Sequence, residues 1–378
     1  MSHAKLSASG AHRWLECPGS VLLEAEYIDD TSVYAREGTF AHEVAEYMLT
    51  NATYELPQYI KENEYYSTEL VEYVKQHVDF VREEFNELYK EDKNTQIYLE
   101  TRVEFSDVVP EGFGTADVII TSEKVLKVID LKFGKGVKVD AKKNPQLRLY
   151  GFGAYKEYEW LNDFEVVEMI ISQPRLDHID GEVMKVEDLI EWAEKYVKPR
   201  AFNAYRGLEE FNPGEKQCKF CKARRSCKAR TESMLEVVNK FEYDNPNLLS
   251  KDDISYLLDH IPDIKTWCED IQEYAFDILT SGESLQGYKL VEGRSTRKIK
   301  DPIKVAEILR TEGYSDDEIL DVKLKGITNL EKLLGKKQLN SLLADEIYKP
   351  EGKPVLAKED DKRPPIGVAT LDDFKDFE

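Results

Sequence analysis

Between residues 58 and 92 the chain is charged, except for an apolar stripe. Leu70, Val71, Val74, Val78 and Val81 recur at three- and four-residue intervals, which predicts a long helix or a helix pair with one buried face. The period then shortens. Residues 97–105 alternate, 115–121 carry Val118-Ile119-Ile120, and 124–133 are rich in apolar side chains, so three strands are expected in succession. A helix over 145–158, a strand over 165–172, a short strand over 182–186 and a helix over 187–206 follow. The last of these carries Leu189, Ile190, Trp192, Ala193 and Tyr196. Three strands, a helix and a further strand imply a mixed sheet flanked by helices, an α/β core.

Outside this core the pattern is helical. Residues 1–50 read as helical after a turn at Cys17, with Gly38 just ahead of a helix that carries His42. Residues 229–280 read as mainly helical. A strand is expected over 287–292, and small helices near 302–312, 315–321 and 328–346. Residues 349–378 are dominated by Lys, Asp, Glu and Pro, a composition that favours a loose tail. There are no internal repeats. The phosphate-loop pattern G-x4-G-K-[ST] is absent, which argues against an ATP-driven motor.

Composition narrows the class. Fifty-two basic and 74 acidic side chains among 378 residues leave a formal charge of −22, and 41% of the chain is hydrophobic. That is enough to bury a sizeable core. No run approaches the ~18 apolar residues of a membrane span, and Met1 to Lys5 lead into no apolar signal core. A soluble cytoplasmic protein is expected. A strongly acidic chain repels nucleic acid at long range, so a protein that coats duplex DNA is disfavoured. Local basic runs remain: Lys135, Lys138, Lys142, Lys143 and Arg148, then seven cations and no acid from Lys216 to Arg230, then Arg294 to Lys300. The first two are candidates for phosphate contact.

The five cysteines are an odd number in a long chain, which argues against a disulfide framework. Cys218, Cys221 and Cys227 follow a C-x2-C-x5-C spacing, close enough for their thiolates to converge on one centre. Cys17, in the turn Cys17-Pro18-Gly19, is the leading fourth ligand. Four thiolates suit zinc or an iron–sulfur cluster, and the spacing alone leaves both open. Cys268 follows Trp267 in a helical stretch and reads as a buried, inert thiol.

The central stretch holds the candidate chemistry. Asp130 and Lys132 alternate with Ile129, Leu131 and Phe133, so on a strand the carboxylate and the ammonium share one face. A tight turn near Ser122 and Glu123 lets hairpin pairing bring Asp117 beside Asp130. Facing carboxylates repel unless a cation lies between them, and oxygen ligands of this kind suit Mg²⁺ or Mn²⁺. Gln146 and Tyr150 stand at i and i+4 on one helix face. His42, on the helix face of Ala45 and Leu49, suits either a core or a ligand role.

In order and spacing these residues resemble the RecB-like branch of the PD-(D/E)XK nuclease superfamily, in particular its iron–sulfur members. These include CRISPR-associated adaptation nucleases, AddB-type recombination nucleases and phage-encoded relatives. The branch's Gly-x3-His is matched by Gly38 to His42, its Gly-x2-Asp by Gly114 to Asp117, and its (D/E)-x-K by Asp130 to Lys132. Its Q-x3-Y is matched by Gln146 to Tyr150, and its bracketing cysteines by Cys17 with Cys218, Cys221 and Cys227.

The resemblance spans 11–230. It implies a restriction-endonuclease-like core over 1–230, with a helical region of unassigned role over 231–348 and the acidic tail beyond. It further implies Mn²⁺ or Mg²⁺ held by His42, Asp117, Asp130 and the Leu131 carbonyl. Asp117, Asp130, Lys132, Gln146 and Tyr150 become the catalytic set, and the four cysteines the ligands of a [4Fe-4S] cluster. The expected activity is exonucleolytic hydrolysis of single-stranded or frayed DNA ends in phage or prophage replication or recombination. A single-strand-binding protein or a recombination partner is implied, and homo-oligomerisation, known among relatives, is left open. The competing expectations are a nuclease-fold DNA- or protein-binding adaptor without meaningful turnover, and a zinc-stapled structural protein.

Overall fold

The computed structural model describes residues 4–27, 33–239, 249–293, 296–321, 323–348, 356–359, 361 and 363. The chain divides into two units, Met1–Val291 and Glu292–Glu378.

In the first unit, short helices α1 (Ala11–Trp14) and α2 (Ser20–Glu24) precede α3 (Val33–Thr50), α4 (Gln58–Lys61) and the long α5 (Thr68–Glu91). Five strands form one sheet in sequence order: β1 (Gln96–Glu104), β2 (Phe113–Thr121), β3 (Val125–Leu131), β4 (Val166–Gln173) and β5 (His178–Lys185). Neighbouring strands are antiparallel except β3 and β4, which run parallel. Helix α6 (Pro145–Tyr158) crosses over between those two strands, as a parallel connection requires. The sheet is therefore mixed and flanked by helices, as the alternating periods predict.

The strand face carrying Leu126 and Val128 buries against α6 in a cluster that also takes in Trp14, Val167, Met169, Val197 and Ala204. The opposite face packs on α3 to α5: Leu131 and Phe133 meet Phe40, Val44, Met48 and Val74, and Val118, Ile120 and Ile129 meet Val81. The apolar stripe of α5 is the buried side, with Leu70, Val71, Val74, Val78 and Val81 all inside.

Several expectations are corrected. Gly38 lies inside α3 and does not precede it. The final strand is longer than the apolar signal, running from His178, because its pattern alternates half-buried and exposed positions at an edge. The helix expected over 187–206 is α7 (Val186–Trp192) and α8 (Lys198–Tyr205), joined by a π turn at Ala193–Val197. Pro199 lacks the N–H that regular continuation needs.

Helix α9 (Glu215–Lys219) opens the cysteine loop, and α10 (Lys228–Asn239) and α11 (Lys251–Thr280) follow it. Asp270 of α11 is buried and receives Arg224 (3.1 Å) and Arg230 (2.6 Å) from the cysteine loop and α10. Arg225 meets Asp277 at 3.1 Å. Three cations expected to face thiolates or phosphates are thus paired with acids of α11, and the unit runs past residue 230 to Val291. Cys268, expected to be buried, is exposed on α11.

No strand forms over 287–292. Tyr288 and Val291 are exposed, and a strand without a partner leaves its backbone unsatisfied.

The second unit contains α12 (Pro302–Thr311), α13 (Asp316–Ile319), α14 (Ile327–Leu334) and α15 (Lys336–Leu343). The single helix expected near 328–346 is broken at Gly335, whose φ of 79° no helix accommodates. Most of the tail over 349–378 lies outside the described residues.

Candidate active site

The β2–β3 register sets Val118 opposite Ile129, so one step further Asp117 faces Asp130. The β1–β2 register sets Leu99 opposite Val118 and Thr101 opposite Ala116, so Glu100 stands beside Asp117. His42 reaches the pair from α3, with its Nδ1 3.4 Å from Asp117 and 3.7 Å from Glu100. The ligand atoms of His42, Glu100 and Asp117 lie within 4.8 Å of one another.

Glu100 was not anticipated. It is one exposed-looking acid in an alternating strand, and sequence shows nothing to separate it from its neighbours. Its backbone carries the missing signal: φ is 43° in the middle of β1, a left-handed conformation that is strained for a side-chain-bearing residue and concentrates at functional positions.

On the α6 side, Lys132 Nζ lies 2.8 Å from Asp130 Oδ2 and donates to Gln146 Oε1 at 3.1 Å. Gln146 Nε2 donates to Asp130 Oδ1 at 3.3 Å and to the Tyr150 hydroxyl at 3.4 Å. Helix α6 starts where it does because the Asn144 side chain accepts from the Gln146 and Leu147 N–H groups, with Pro145 in the first helical position. That start sets Gln146 in the first turn, beside the end of β3.

Gly114 explains itself sterically. A Cβ there would stand 2.6 Å from Tyr150 Cε1, so the ring occupies the space that only glycine leaves. Gly38, by contrast, has nothing within 4 Å of a Cβ position.

Electrostatics separate the two aspartates. Burial alone would raise Asp117. The His42 cation, Lys132 and the Leu131 N–H, which donates at 2.7 Å, outweigh it and hold the carboxyl below its usual range. Burial pushes Asp130 up, outweighing Lys132 and reinforced by Asp117. Burial also works against the His42 cation, but Asp117 and Glu100 prevail and lift it to about 10. The Lys132 ammonium is likewise favoured, its burial outweighed by Asp130.

Asp130 Oδ2 is enclosed. It sits in ion-pair range of Lys132, yet the angle is not that of a hydrogen bond, so this oxygen has no directed donor. The imidazole and two carboxylates of His42, Glu100 and Asp117 are a donor set that fits a divalent cation; Asp130, the expected further ligand, stands outside that 4.8 Å group, its oxygens turned to Lys132 and Gln146. His77 of α5 lines the same pocket as His42, Glu100, Asp117 and Leu131. Its Nδ1 contacts Ser172 Oγ at 2.9 Å, and burial lowers it to about 4, so its ring is neutral.

The basic run beside the site is partly committed. Arg148 makes a two-pronged contact with Glu182, at 2.8 and 2.5 Å.

The four cysteines converge as well. Cys17, Cys218, Cys221 and Cys227 line one small cavity, together with Arg13, Phe211 and Arg224. The turn at Cys17 docks because the Gly19 N–H donates to the Glu210 carbonyl at 2.8 Å and the Phe211 ring lies where a Gly19 Cβ would be. Asn212 N–H points at Cys17 Sγ at 3.4 Å. Burial pushes the thiols of Cys17, Cys218 and Cys221 up, that of Cys221 to about 12. No three of the four sulfurs lie within 4.8 Å of one another. Tetrahedral zinc, with Zn–S near 2.3 Å, sets its sulfurs about 3.8 Å apart.

Fold and site together define a mixed α/β protein with an imidazole–carboxylate cluster and a Lys–Asp pair at its sheet, and with a separate four-cysteine cavity. The chain belongs to the family described as protein of unknown function (DUF2800), whose model matches residues 3–364. It is also similar to the crystal structure of SSO0001, at 16% identity over 61% of this chain and 88% of that one, with a TM-score of 0.25. No helix among the described residues is long and apolar enough to cross a membrane.

Proposed function

We propose that this protein is a metal-dependent deoxyribonuclease that hydrolyses phosphodiesters at single-stranded or frayed DNA ends, in phage or prophage replication or recombination. The carrying observation is the convergence of Asp117, Asp130, Lys132, Gln146 and Tyr150 with His42, drawn from two adjacent strands and from helices on both faces of one sheet. An ordinary polar surface has no reason to assemble them around a buried carboxylate oxygen without a donor.

His42, Asp117, Asp130 and the Leu131 carbonyl would hold Mn²⁺ or Mg²⁺, with Glu100 as a further oxygen donor. When bound, such an ion lowers the pKa of water and offsets charge at the phosphoryl group. The chain's own groups do the rest. Lys132 is an ammonium with three protons. Gln146 Oε1 takes one of them and Asp130 lies in ion-pair range without a directed bond, which leaves protons for a phosphate oxygen or for orienting the attacking water. Gln146 holds Lys132 and Asp130 in place through its two ends. Tyr150, linked to Gln146, positions the substrate backbone.

The cysteine cavity is read as the seat of a [4Fe-4S] cluster. The convergence of the four cysteines on one cavity supports a shared centre, and the resemblance carries the choice of a cluster over zinc. Such a cluster ties residue 17 to residues 218–227, closing a loop whose entropy grows with its length.

The test is cleavage of end-labelled single- and double-stranded DNA with Mn²⁺ or Mg²⁺, wild type beside Asp130→Ala. Loss of cleavage in the variant is expected, and equal cleavage by both overturns the reading. For the cluster, anaerobically prepared protein should hold iron and absorb near ~400 nm. Stoichiometric zinc without iron refutes it.

A further inference from the structure

Away from the candidate active site, ring and carboxylate atoms of Asp140, His178 and Asp180 lie within 4.8 Å of one another. His178 and Asp180 are i and i+2 on β5, so they share one side of the strand. Asp140 comes from the loop over 134–144, which joins Lys132 to Gln146 along the chain. The His178 imidazole is not free to turn: its Nε2 is 2.9 Å from the Val139 carbonyl, the kind of backbone contact that orients a ligating histidine. Among the described residues no lysine or arginine pairs with either carboxylate, although Lys138, Lys142 and Lys143 are close in sequence. Two carboxylates and an oriented imidazole in one 4.8 Å group are the donor types that a divalent transition ion takes.

The surroundings show what such a cation would do. The loop is stapled to β4 and β5 by side chains that bond its backbone. Gln173 Nε2 donates to the Gly134 and Val137 carbonyls (2.9 and 2.8 Å) and its Oε1 accepts from Val139 N–H (3.1 Å). Asp180 Oδ2 accepts from Ala141 N–H at 2.7 Å and Glu182 from Lys143 N–H at 3.1 Å. Asp140 is the member of the trio that belongs to the loop, and it is exposed.

We infer that Asp140, His178 and Asp180 form a second site for a divalent first-row transition ion, and that its occupancy clamps the 134–144 loop onto β5. One imidazole and two carboxylates suit Mn²⁺, Zn²⁺ or a similar ion. This site is independent of the nuclease reading.

The probe is Mn²⁺, whose preference for oxygen and imidazole over thiolate leaves the cysteines silent. In equilibrium dialysis of the full chain, the wild type should bind one more Mn²⁺ than His178→Ala or Asp140→Asn. Asp117→Ala should lose a different ion, so removing both sets is additive. Trypsin cleavage at Lys135, Lys138, Lys142 and Lys143 is the second readout. Mn²⁺ at ten times its Kd should slow it by about 11-fold, in the wild type and in Asp117→Ala but not in Asp140→Asn. Should His178→Ala fail to fold, Asp140→Asn decides the question, because its side chain is exposed. Equal Mn²⁺ binding by wild type and Asp140→Asn, or loop cleavage insensitive to Mn²⁺, overturns the inference.

Discussion

Replacing Asp270 by alanine probes what attaches the cysteine loop to α11. Asp270 is 2% exposed and Arg230, its partner at 2.6 Å, is 6% exposed. Removing the acid therefore strands a buried guanidinium, a loss of about 3–5 kcal/mol. Arg224, also bonded to Asp270 but about a third exposed, adds less, about 1 kcal/mol at most. For a unit of this size each kcal/mol moves Tm by about 2–4 °C, so the midpoint should fall by about 6–20 °C. Asp270→Asn keeps an acceptor and should cost less, about 1.5–3 kcal/mol. The decisive control is the double replacement Arg230→Met with Asp270→Leu. It removes the buried guanidinium together with its acid, leaves unpaired only the part-exposed Arg224, and should recover most of the loss. Thermal melts followed by circular dichroism read all three. If Asp270→Ala melts within a degree or two of wild type, or the double variant is no better than the single, the buried pair does not hold this junction.

Gly114→Ala sets a methyl 2.6 Å from the Tyr150 ring. It should cost about 1–3 kcal/mol and depress DNA cleavage, whereas Gly134→Ala, with nothing within 4 Å, should leave stability and cleavage alone; matched behaviour of the two variants would refute the steric account. His77 gives a pH signature in metal-free protein. Its folded pKa of about 4 is below the unfolded value, so the unfolded chain binds the proton more readily. The stability this contributes is whole above about pH 6.5 and is lost as pH falls towards 4, about 3 kcal/mol in all. Urea midpoints of wild type and His77→Gln should therefore diverge with pH across that window, and a constant offset would contradict it.

Much of the molecule was legible in the chain. Period-two runs and the stripe of α5 report burial directly, because a strand or helix must hide its apolar side whatever else it does. The Asp130–Lys132 pair follows from alternation along β3, and the Gln146–Tyr150 pair from helical spacing, so both were readable locally. Cys17 and the C-x2-C-x5-C group were readable as residue types suited to one centre.

What sequence could not supply was every relation between distant segments. Glu100 joins His42 and Asp117 only because β1 pairs beside β2 and twists through a left-handed φ. Arg224, Arg225 and Arg230 are neutralised only because α11 folds back upon them, with Asp270 inside. Arg148 looked available for phosphate until Glu182 met it from β5. The strand expected over 287–292 had the right side chains but no pairing partner among the described residues. Periodicity records which side of an element is hidden. Only the assembled structure decides which charges meet, because an ion pair depends on tertiary distance, which local pattern does not encode.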